Sequence, residues 1–127
     1  MPCFAFKIAA KGKTVVISGD SIFSDKLIKF AKESDILVMD STWTEEVWQS
    51  RKREWGDKRA WHASPRQIGI LAKRCQIKRL ILSHISGVTL KGAPIDIEVQ
   101  RTRIDRIKES YDGEVILAED LLHIDIE

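Results

Sequence analysis

Four polar residues stand beside apolar segments and carry side chains that can bind a metal or move a proton. Asp20, Asp40 and His84 each follow a short apolar segment, and His62 precedes a segment with a helical pattern. Carboxylate and imidazole groups are ligands of zinc, and together they also form acid–base pairs. If the apolar segments are parallel strands, their carboxyl ends meet at one edge of a sheet, where α/β proteins bind ligands.

Each of these residues also has a purely structural interpretation. Asp20 and Asp40 could cap the turns and helices that follow them, because side-chain oxygens accept hydrogen bonds from the free N–H groups there. His62 could pack at the start of the next helix, and His84 could be a buried core histidine. The coincidence of all four at the ends of elements favours a shared site. His123 has no such neighbours in sequence and is interpreted as structural.

Length and composition limit the class of protein. The chain has 127 residues, 43% of them hydrophobic and 31% charged, which is typical of one soluble globular domain. The formal net charge of +2 gives no overall basic field for nucleic acid. Cys3 and Cys75 lie in no CxxC motif and predict no disulfide framework. No apolar run approaches the roughly 20 residues of a membrane span, and no signal peptide is recognised, so we expect a cytoplasmic protein.

Alternating strand and helix patterns predict an α/β fold in the order ββαβααβαββ. Residues 4–18 predict a β-hairpin, and residues 35–42 and 78–86 predict two further strands. Ser64-Pro65-Arg66-Gln67 predicts a helix that begins with a capping box. Further helices are predicted from Ser24, over about 44–54 and over 95–110, and the segments EVILAED and LLHIDI predict two strands at the end of the chain.

The central strands predict a sheet that needs cover on both faces. The segments VVIS, ILVM and LILS are apolar at successive positions, so both faces of each strand carry apolar side chains. The predicted helices suffice for one face, and a large uncovered apolar face marks an interface. We therefore predict a two-fold dimer whose sheets meet face to face. The contact would bury Val15 or Val16, Leu37 or Ile36, and Ile81 or Leu80.

The succession of these segments resembles a known family. VVISGDS, DILVMDST, WHASPRQIGILAKRCQIKRLILSHIS and EVILAEDLLHIDI resemble the C-terminal half of metallo-β-lactamase-fold hydrolases, most of all the ribonuclease Z branch, the endonucleases that trim tRNA 3′ ends. The resemblance covers nearly the whole chain except 43–61 and about 87–95. It implies a single α/β domain over residues 1–127, namely half of a metallo-β-lactamase αββα sandwich, with one mixed sheet and helices on one face.

The same resemblance implies a role for each of the four polar residues. Asp20 matches the family aspartate that bridges two zinc ions, and His84 matches the last histidine ligand. Asp40 and His62 match the acid–histidine pair that donates a proton to the leaving oxygen, although the family usually has glutamate at the first position. Gly87-Val88 stands where the family has an Arg-Tyr pair, which removes an expected phosphate-binding group.

One part of the family's metal site does not occur in the sequence. The His-x-His-x-Asp-His motif of the N-terminal half is absent, and the three histidines of this chain cannot supply five histidine ligands. One hypothesis is a zinc-dependent phosphodiesterase or endoribonuclease that is active only when a complementary N-terminal half is supplied. The other is a non-catalytic homodimeric half-domain, a scaffold or weak metal binder. In both, the chain alone should hold zinc weakly or incompletely.

The segment 43–61, here called the Trp-rich segment, contains all four tryptophans together with arginines and lysines. In the enzymatic hypothesis it could contact tRNA or another RNA by base stacking and phosphate pairing. The alternative is a solvated amphipathic helix that packs its tryptophans against the domain.

Overall fold

Within residues 3–56, 62–85 and 96–127, which this computed structural model describes, the chain forms one mixed five-stranded sheet with four helices. The strand order in the sheet follows the order in sequence. The first two strands form an antiparallel hairpin, and every later neighbour is parallel. The strands are β1 (Phe6–Ala10), β2 (Lys13–Ile17), β3 (Ile36–Asp40), β4 (Arg79–Ser83) and β5 (Glu114–Leu117), and the helices are α1 (Asp25–Ala31), α2 (Glu45–Trp55), α3 (Pro65–Cys75) and α4 (Ile97–Lys108).

Local sequence signals explain where the helices begin. Ser24 and Thr44 are the N-caps of α1 and α2, and each side-chain oxygen accepts a hydrogen bond from the backbone N–H three residues later. At α3 the Ser64 hydroxyl accepts from the Gln67 N–H, and the Gln67 side chain accepts from the Ser64 N–H. The predicted capping box is therefore confirmed. The helices that follow the two strand-end carboxylates are capped by hydroxyl groups instead.

The core lies between the sheet and helices α1, α3 and α4. Gly69 allows α3 and α4 to cross closely, because a Cβ at this position would lie 2.3 Å from the main-chain oxygen of Ile107. The strand residues of this core are Val16, Leu37, Met39, Leu80 and Leu82, and the helix residues are Leu27, Ile28, Ala31, Ile68, Leu71, Ala72, Cys75 and Ile107. Of the alternatives for the predicted dimer contact, Val16, Leu37 and Leu80 are therefore excluded, and Val15, Ile36 and Ile81 lie on the other face of the sheet.

The C-terminal segment 118–127 lies across part of the sheet face that points away from the helices. The main-chain oxygen of Asp125 accepts a 2.9 Å hydrogen bond from Arg79 of β4. The main-chain oxygen of Glu127 accepts one from Lys13 of β2. No strand is formed within 118–127, so the predicted strand over LLHIDI is wrong. The segment crosses the starts of two strands and bonds to their side chains instead of extending the sheet beside β5.

The remaining part of this face is apolar and exposed at the β1–β2 end. Ile36 and Ile81 are 3% and 7% exposed, although they point away from the helical core. Phe6, Ile8 and Ile17 are 63%, 55% and 38% exposed. Residue 6 lies opposite residue 17 in the hairpin, so these side chains share one face. We call Phe6, Ile8 and Ile17 the open apolar face, which is smaller than the sequence alone predicts.

Candidate active site

The carboxyl ends of β2, β3 and β4, here called the carboxyl edge, bring the four predicted residues together. Asp40 is the last residue of β3, Asp20 and His84 follow β2 and β4 within three residues, and His62 precedes α3. Parallel pairing of the three strands places their ends side by side. The Nδ1 atom of His84 lies 3.0 Å from Asp20 Oδ1 and 3.5 Å from Asp40 Oδ1. The predicted residues thus form one cluster.

Asp40 is the buried centre of this cluster, with a side chain that is 2% exposed. Its Oδ2 atom hydrogen bonds with His62 Nδ1 and accepts a 3.1 Å bond from the Ser21 N–H. Its Oδ1 atom accepts bonds of 3.1 Å and 2.5 Å from the N–H and hydroxyl of Thr42. Burial raises the pKa of the Asp40 carboxyl, but the bonds from His62, Thr42 and Ser21 outweigh it, so the pKa lies below its ordinary value. Asp40 is therefore an anion at neutral pH.

The structural interpretations hold only in part. Ser24 and Thr44, and not Asp20 and Asp40, cap the helices, although Asp40 does cap the turn after β3 by accepting the Thr42 N–H. His84 is not a core histidine, since its ring is 56% exposed. Its backbone is left-handed, with φ 54°, a conformation that costs a non-glycine residue about 1–3 kcal/mol and is concentrated at functional sites.

Gly19 fixes the position of the loop that carries Asp20. Its φ is +61°, and a Cβ at this position would lie 2.8 Å from the main-chain oxygen of Phe4. Glycine alone satisfies both the dihedral angle and the close approach. The neighbouring Ser18 is buried, and its hydroxyl accepts a 3.1 Å hydrogen bond from the Asp40 N–H. The Ser-Gly-Asp sequence therefore joins the end of β2 to the end of β3.

Replacing Gly19 with alanine should destabilise the protein and displace the Asp20 loop. The positive φ costs an L-residue about 1–2 kcal/mol, and the contact with the Phe4 carbonyl adds to that cost. Gly12→Ala is the matched control, because Gly12 also has a positive φ, +74°, but its Cβ would meet no described atom within 4 Å. Urea unfolding should show the greater loss of unfolding free energy for Gly19→Ala. Equal losses of unfolding free energy in the two variants would contradict the close approach of Gly19 to the Phe4 carbonyl.

Two tryptophans hold His62 in place. The indole N–H of Trp48 donates a 2.9 Å hydrogen bond to the main-chain oxygen of His62. The Trp43 ring meets the imidazole edge-on at a centroid distance of 4.9 Å, and Trp55 meets Trp43 edge-on at 6.4 Å. These tryptophans therefore have packing roles, as one interpretation of the Trp-rich segment predicts. Trp61, in the same segment, lies outside the described residues.

Arg103 of α4 is a residue of the site that the sequence analysis does not identify. It is 1% exposed and donates hydrogen bonds to the Ser41 main-chain oxygen, to Ser41 Oγ at 2.9 Å and to the Trp43 main-chain oxygen at 3.0 Å. Burial lowers the pKa of Arg103 to about 10, although the Asp40 charge acts in the opposite direction. Arg103 thus anchors the loop after β3. A sequence signal exists, because Arg103 precedes Ile107 by four residues and so shares its buried helix face.

Thr42 and Ser21 are two further polar residues that the sequence analysis does not identify as part of the site. Both donate hydrogen bonds to the Asp40 carboxylate, and Thr42 Oγ1 also lies 3.1 Å from His84 Nδ1. In sequence they follow the strand-end carboxylates as ordinary turn residues, so their type alone indicates only a turn. The fold makes them donors that orient Asp40 toward His62.

The donor set at the carboxyl edge fits a divalent metal. One ligand atom each from Asp40, His62 and His84 lies within 4.8 Å of the others, and this is the one such group among the described residues. Imidazole nitrogen with carboxylate oxygen suits zinc, whereas magnesium and calcium prefer oxygen alone. Asp20 adjoins this group through His84. The geometry therefore brings one predicted ligand, His84, and the predicted acid pair around one candidate metal position, with the other predicted ligand, Asp20, beside it.

This sheet, with histidines and aspartates at its carboxyl edge, has the arrangement of the metallo-β-lactamase fold. A sequence profile described as "Beta-lactamase superfamily domain" matches residues 1–85. The chain belongs to this superfamily. It is 33% identical over 116 residues to the ribonuclease Z of Bacillus subtilis, which covers 91% of this chain and 34% of that protein. It is 36% identical over 115 residues to the ribonuclease Z of Nitrosopumilus maritimus, covering 91% and 33%.

Solved structures agree with this assignment. The metallo-β-lactamase fold protein YhfI of Bacillus subtilis superimposes with a TM-score of 0.70 at 22% identity, over 92% of this chain and 42% of that one. The short form of human tRNase Z gives a TM-score of 0.65 at 27% identity, over 100% and 39%. The predicted fold class and the resemblance to ribonuclease Z are confirmed. The chain spans about a third of the length of the curated relatives it matches.

Proposed function

We propose that this chain is part of a zinc-dependent phosphodiesterase of the ribonuclease Z type, which processes the 3′ ends of tRNA. In this proposal the chain is inactive alone and active once a half that carries the His-x-His-x-Asp-His motif is supplied. The observation that carries the proposal is the Asp40–His62 pair beside His84 and Asp20 in a member of this superfamily.

A tRNA substrate is consistent with a cytoplasmic location. Among the described helices, none is long and apolar enough to cross a membrane.

His62 is the proposed proton donor to the leaving oxygen. Its Nδ1 atom is directed to the Asp40 carboxylate, which leaves Nε2 to exchange a proton with a substrate. Asp40 is held by Thr42 and Ser21, so the imidazole has an oriented and ionised partner. Trp43 and Trp48 limit the rotation of the ring and of its backbone, as their contacts with His62 imply.

Asp20 and His84 are the proposed metal ligands. When bound, zinc would supply an activated water for attack on phosphorus and would stabilise the charge that develops on the phosphoryl oxygens. The role of the chain's own residues is to hold the metal at the carboxyl edge, next to the proton donor. The exposure of Asp20, 63%, and of His84, 56%, leaves both side chains accessible to a second half.

A second candidate function is a homodimeric half-domain that acts as a scaffold or weak metal binder. The open apolar face of Phe6, Ile8 and Ile17 supports it, because exposed apolar patches are common at interfaces. A second copy of the chain or the complementary half could cover this face. In either case the contact would form at the β1–β2 end of the sheet, beside the C-terminal segment.

Metal content and molecular mass of the purified chain separate the two functions. We expect less than one tightly held zinc per chain after dialysis, because Asp40 and His62 bond to each other and leave Asp20 and His84, which are fewer than the three protein ligands of an ordinary zinc site. Elemental analysis should show further loss in His84→Ala but none in His123→Ala. Two tightly held zinc ions per chain would contradict the proposal that this chain supplies only part of the metal site. Sedimentation showing a stable dimer that a metal-binding half cannot displace would favour the scaffold function.

A further inference from the structure

A pocket of about 490 Å³ lies between α2 and α4, beside the start of α3, and the proposed mechanism does not use it. Asp20, Asp40, His62 and His84 do not line it. The side chains that do line it recur at intervals of four residues along one face of each helix. They include Glu45, Gln49 and Arg53 of α2, Glu98, Thr102 and Arg106 of α4, and Arg66 of α3.

Arg103 is the buried residue of this pocket. It is 1% exposed and lines the pocket from α4. Its Nη1 atom donates hydrogen bonds to the main-chain oxygens of Ser41 and Trp43, and its Nε atom donates one of 2.9 Å to Gln100 Oε1. Its Nη2 atom is buried and has no hydrogen-bond partner in the part of the chain that the structure describes. A buried donor without a partner is unfavourable, and an acceptor on a ligand would satisfy it.

Arg53 offers a second cation to the same pocket. It is exposed in the last turn of α2 and forms no ion pair with another of the described residues. The other two arginines of the lining, Arg66 and Arg106, both bind Glu109, with N–O distances of 2.8 Å and 2.9 Å. Arg53 and the Nη2 atom of Arg103 are therefore the cationic donors that a ligand can use.

The acidic residues of the lining leave a surplus of positive charge, because four arginines face three glutamates. Glu45 lies 3.7 Å from Arg66 Nη1 and accepts a 3.1 Å hydrogen bond from the Arg66 N–H. Glu98 lies 3.8 Å from Arg101. Among the described residues, Glu46 is the one lining carboxylate without an ion pair. A ligand for this pocket should therefore be an anion of low charge.

We propose that this pocket binds a small organic carboxylate, with its carboxylate groups near Arg103 Nη2 and Arg53. A planar guanidinium group matches the geometry of a carboxylate, and the volume lies within the range of small-molecule sites. Val99 lines the pocket as well, and the hydroxyl groups of Thr44 and Thr102 bond within their own helices. The methyl groups of these three residues can then contact the hydrocarbon part of the ligand.

The test is isothermal titration calorimetry of the zinc-free chain with succinate, a dicarboxylate of four carbons. We expect one saturable site per chain. Arg53→Met should weaken binding about 10- to 100-fold, because it removes a charge-assisted hydrogen bond. Arg51→Met is the matched control, since Arg51 lies on the same helix but pairs with Glu54 and does not line the pocket. Val99→Phe should abolish binding, because the larger side chain fills the pocket without a change of charge.

Arg103→Lys tests the buried donor, because it keeps the positive charge and removes Nη2. We expect this variant to bind succinate more weakly while its tryptophan emission remains that of the folded protein. Wild-type affinity in Arg103→Lys would overturn the contact with Arg103. Arg53→Met and Val99→Phe test the pocket independently of this variant, since neither residue is part of the anchor to Ser41 and Trp43.

Further measurements distinguish this pocket from the carboxyl edge and identify the ligand class. His84→Ala should bind succinate like the unchanged protein, because His84 does not line the pocket. Loss of binding in His84→Ala would place the anion at the carboxyl edge and overturn the proposal. Tighter binding of 1,4-diaminobutane or inorganic phosphate than of succinate would overturn the ligand class, and no heat of binding at millimolar succinate would overturn the site. None of these outcomes depends on cleavage of RNA or on a second half.

Discussion

The His62→Ala variant should cleave RNA about 10²–10⁴-fold more slowly than the unchanged protein when both are assayed with the metal-binding half. This range is the usual contribution of a positioned general acid. The physical reason is that His62 is oriented by an ionised and buried partner, Asp40, which is itself fixed by three hydrogen bonds from Thr42 and Ser21. Single-turnover cleavage of a tRNA precursor with a 3′ extension measures the effect on the chemical step.

Zinc content decides which role His62 has, because its ligand atom lies within 4.8 Å of those of Asp40 and His84. As a proton donor, His62 can be removed without loss of zinc. Loss of zinc together with activity would make it a ligand and contradict the acid role. Asp40→Asn is the companion variant, since it keeps the size of the side chain but removes the charge. His123→Ala is the control, because His123 is exposed in the C-terminal segment.

Replacing Arg103 with methionine should lower the free energy of unfolding by about 2–4 kcal/mol, a large share of the about 5–15 kcal/mol of an ordinary domain. Methionine fills much of the volume of arginine but donates no hydrogen bond. The main-chain oxygens of Ser41 and Trp43 would lose their bonds to Arg103, and an unsatisfied buried acceptor costs about 1–3 kcal/mol. Urea unfolding followed by tryptophan fluorescence measures the change.

Arg101→Met is the matched control on the same helix. The side chain of Arg101 is 69% exposed and lies 3.8 Å from Glu98, a surface pair that contributes roughly 0–1 kcal/mol. Arg103→Lys should recover only part of the stability, because a single ammonium cannot replace both the Nη1 bonds to Ser41 and Trp43 and the Nε bond to Gln100 Oε1. If Arg103→Met unfolds at the same urea concentration as the unchanged protein, the anchoring role is wrong.

Loss of Arg103 should also disturb the candidate active site, because Arg103 holds the loop after β3. Thr42 lies between the two residues whose carbonyls Arg103 binds, and its hydroxyl holds Asp40. A displaced Thr42 would leave Asp40 with fewer donors and would loosen its contact with His62. Cleavage by the complemented Arg103→Met protein should therefore fall even under conditions in which the variant is folded.

The sequence by itself determined the elements before the C-terminal segment and the identity of the residues at their ends. The capping box at Ser64 and the cap at Ser24 are formed by atoms within three residues, so local sequence is sufficient to define them. The placement of Asp40 and His84 at one edge follows from the alternation of strands and helices, which makes the strands parallel. The family resemblance rests on the same ordered segments, and the comparisons confirm it.

Only the tertiary structure decided which face of each strand is buried. VVIS, ILVM and LILS have no alternation of polar and apolar residues, so the pattern cannot distinguish Val15 from Val16 or Ile36 from Leu37. In the fold, Val16, Leu37 and Leu80 face the helices. Val15, Ile36 and Ile81 lie on the other face, which the C-terminal segment covers in part. The C-terminal segment has the alternating polar and apolar pattern of a strand, yet it crosses the sheet. Its position depends on the hydrogen bond with Arg79, which is far away in sequence.

The internal geometry of the site was likewise decided by tertiary structure. Asp40 and His62 are 22 residues apart, and Arg103 is 62 residues from Ser41, so no local pattern records that these side chains meet. Residue types show which groups can do chemistry, because carboxylates and imidazoles are few and distinctive. Thr42, Ser21 and Arg103 are ordinary residues by type, and they become part of the site only because the packed helices and turns direct their donors toward the end of β3.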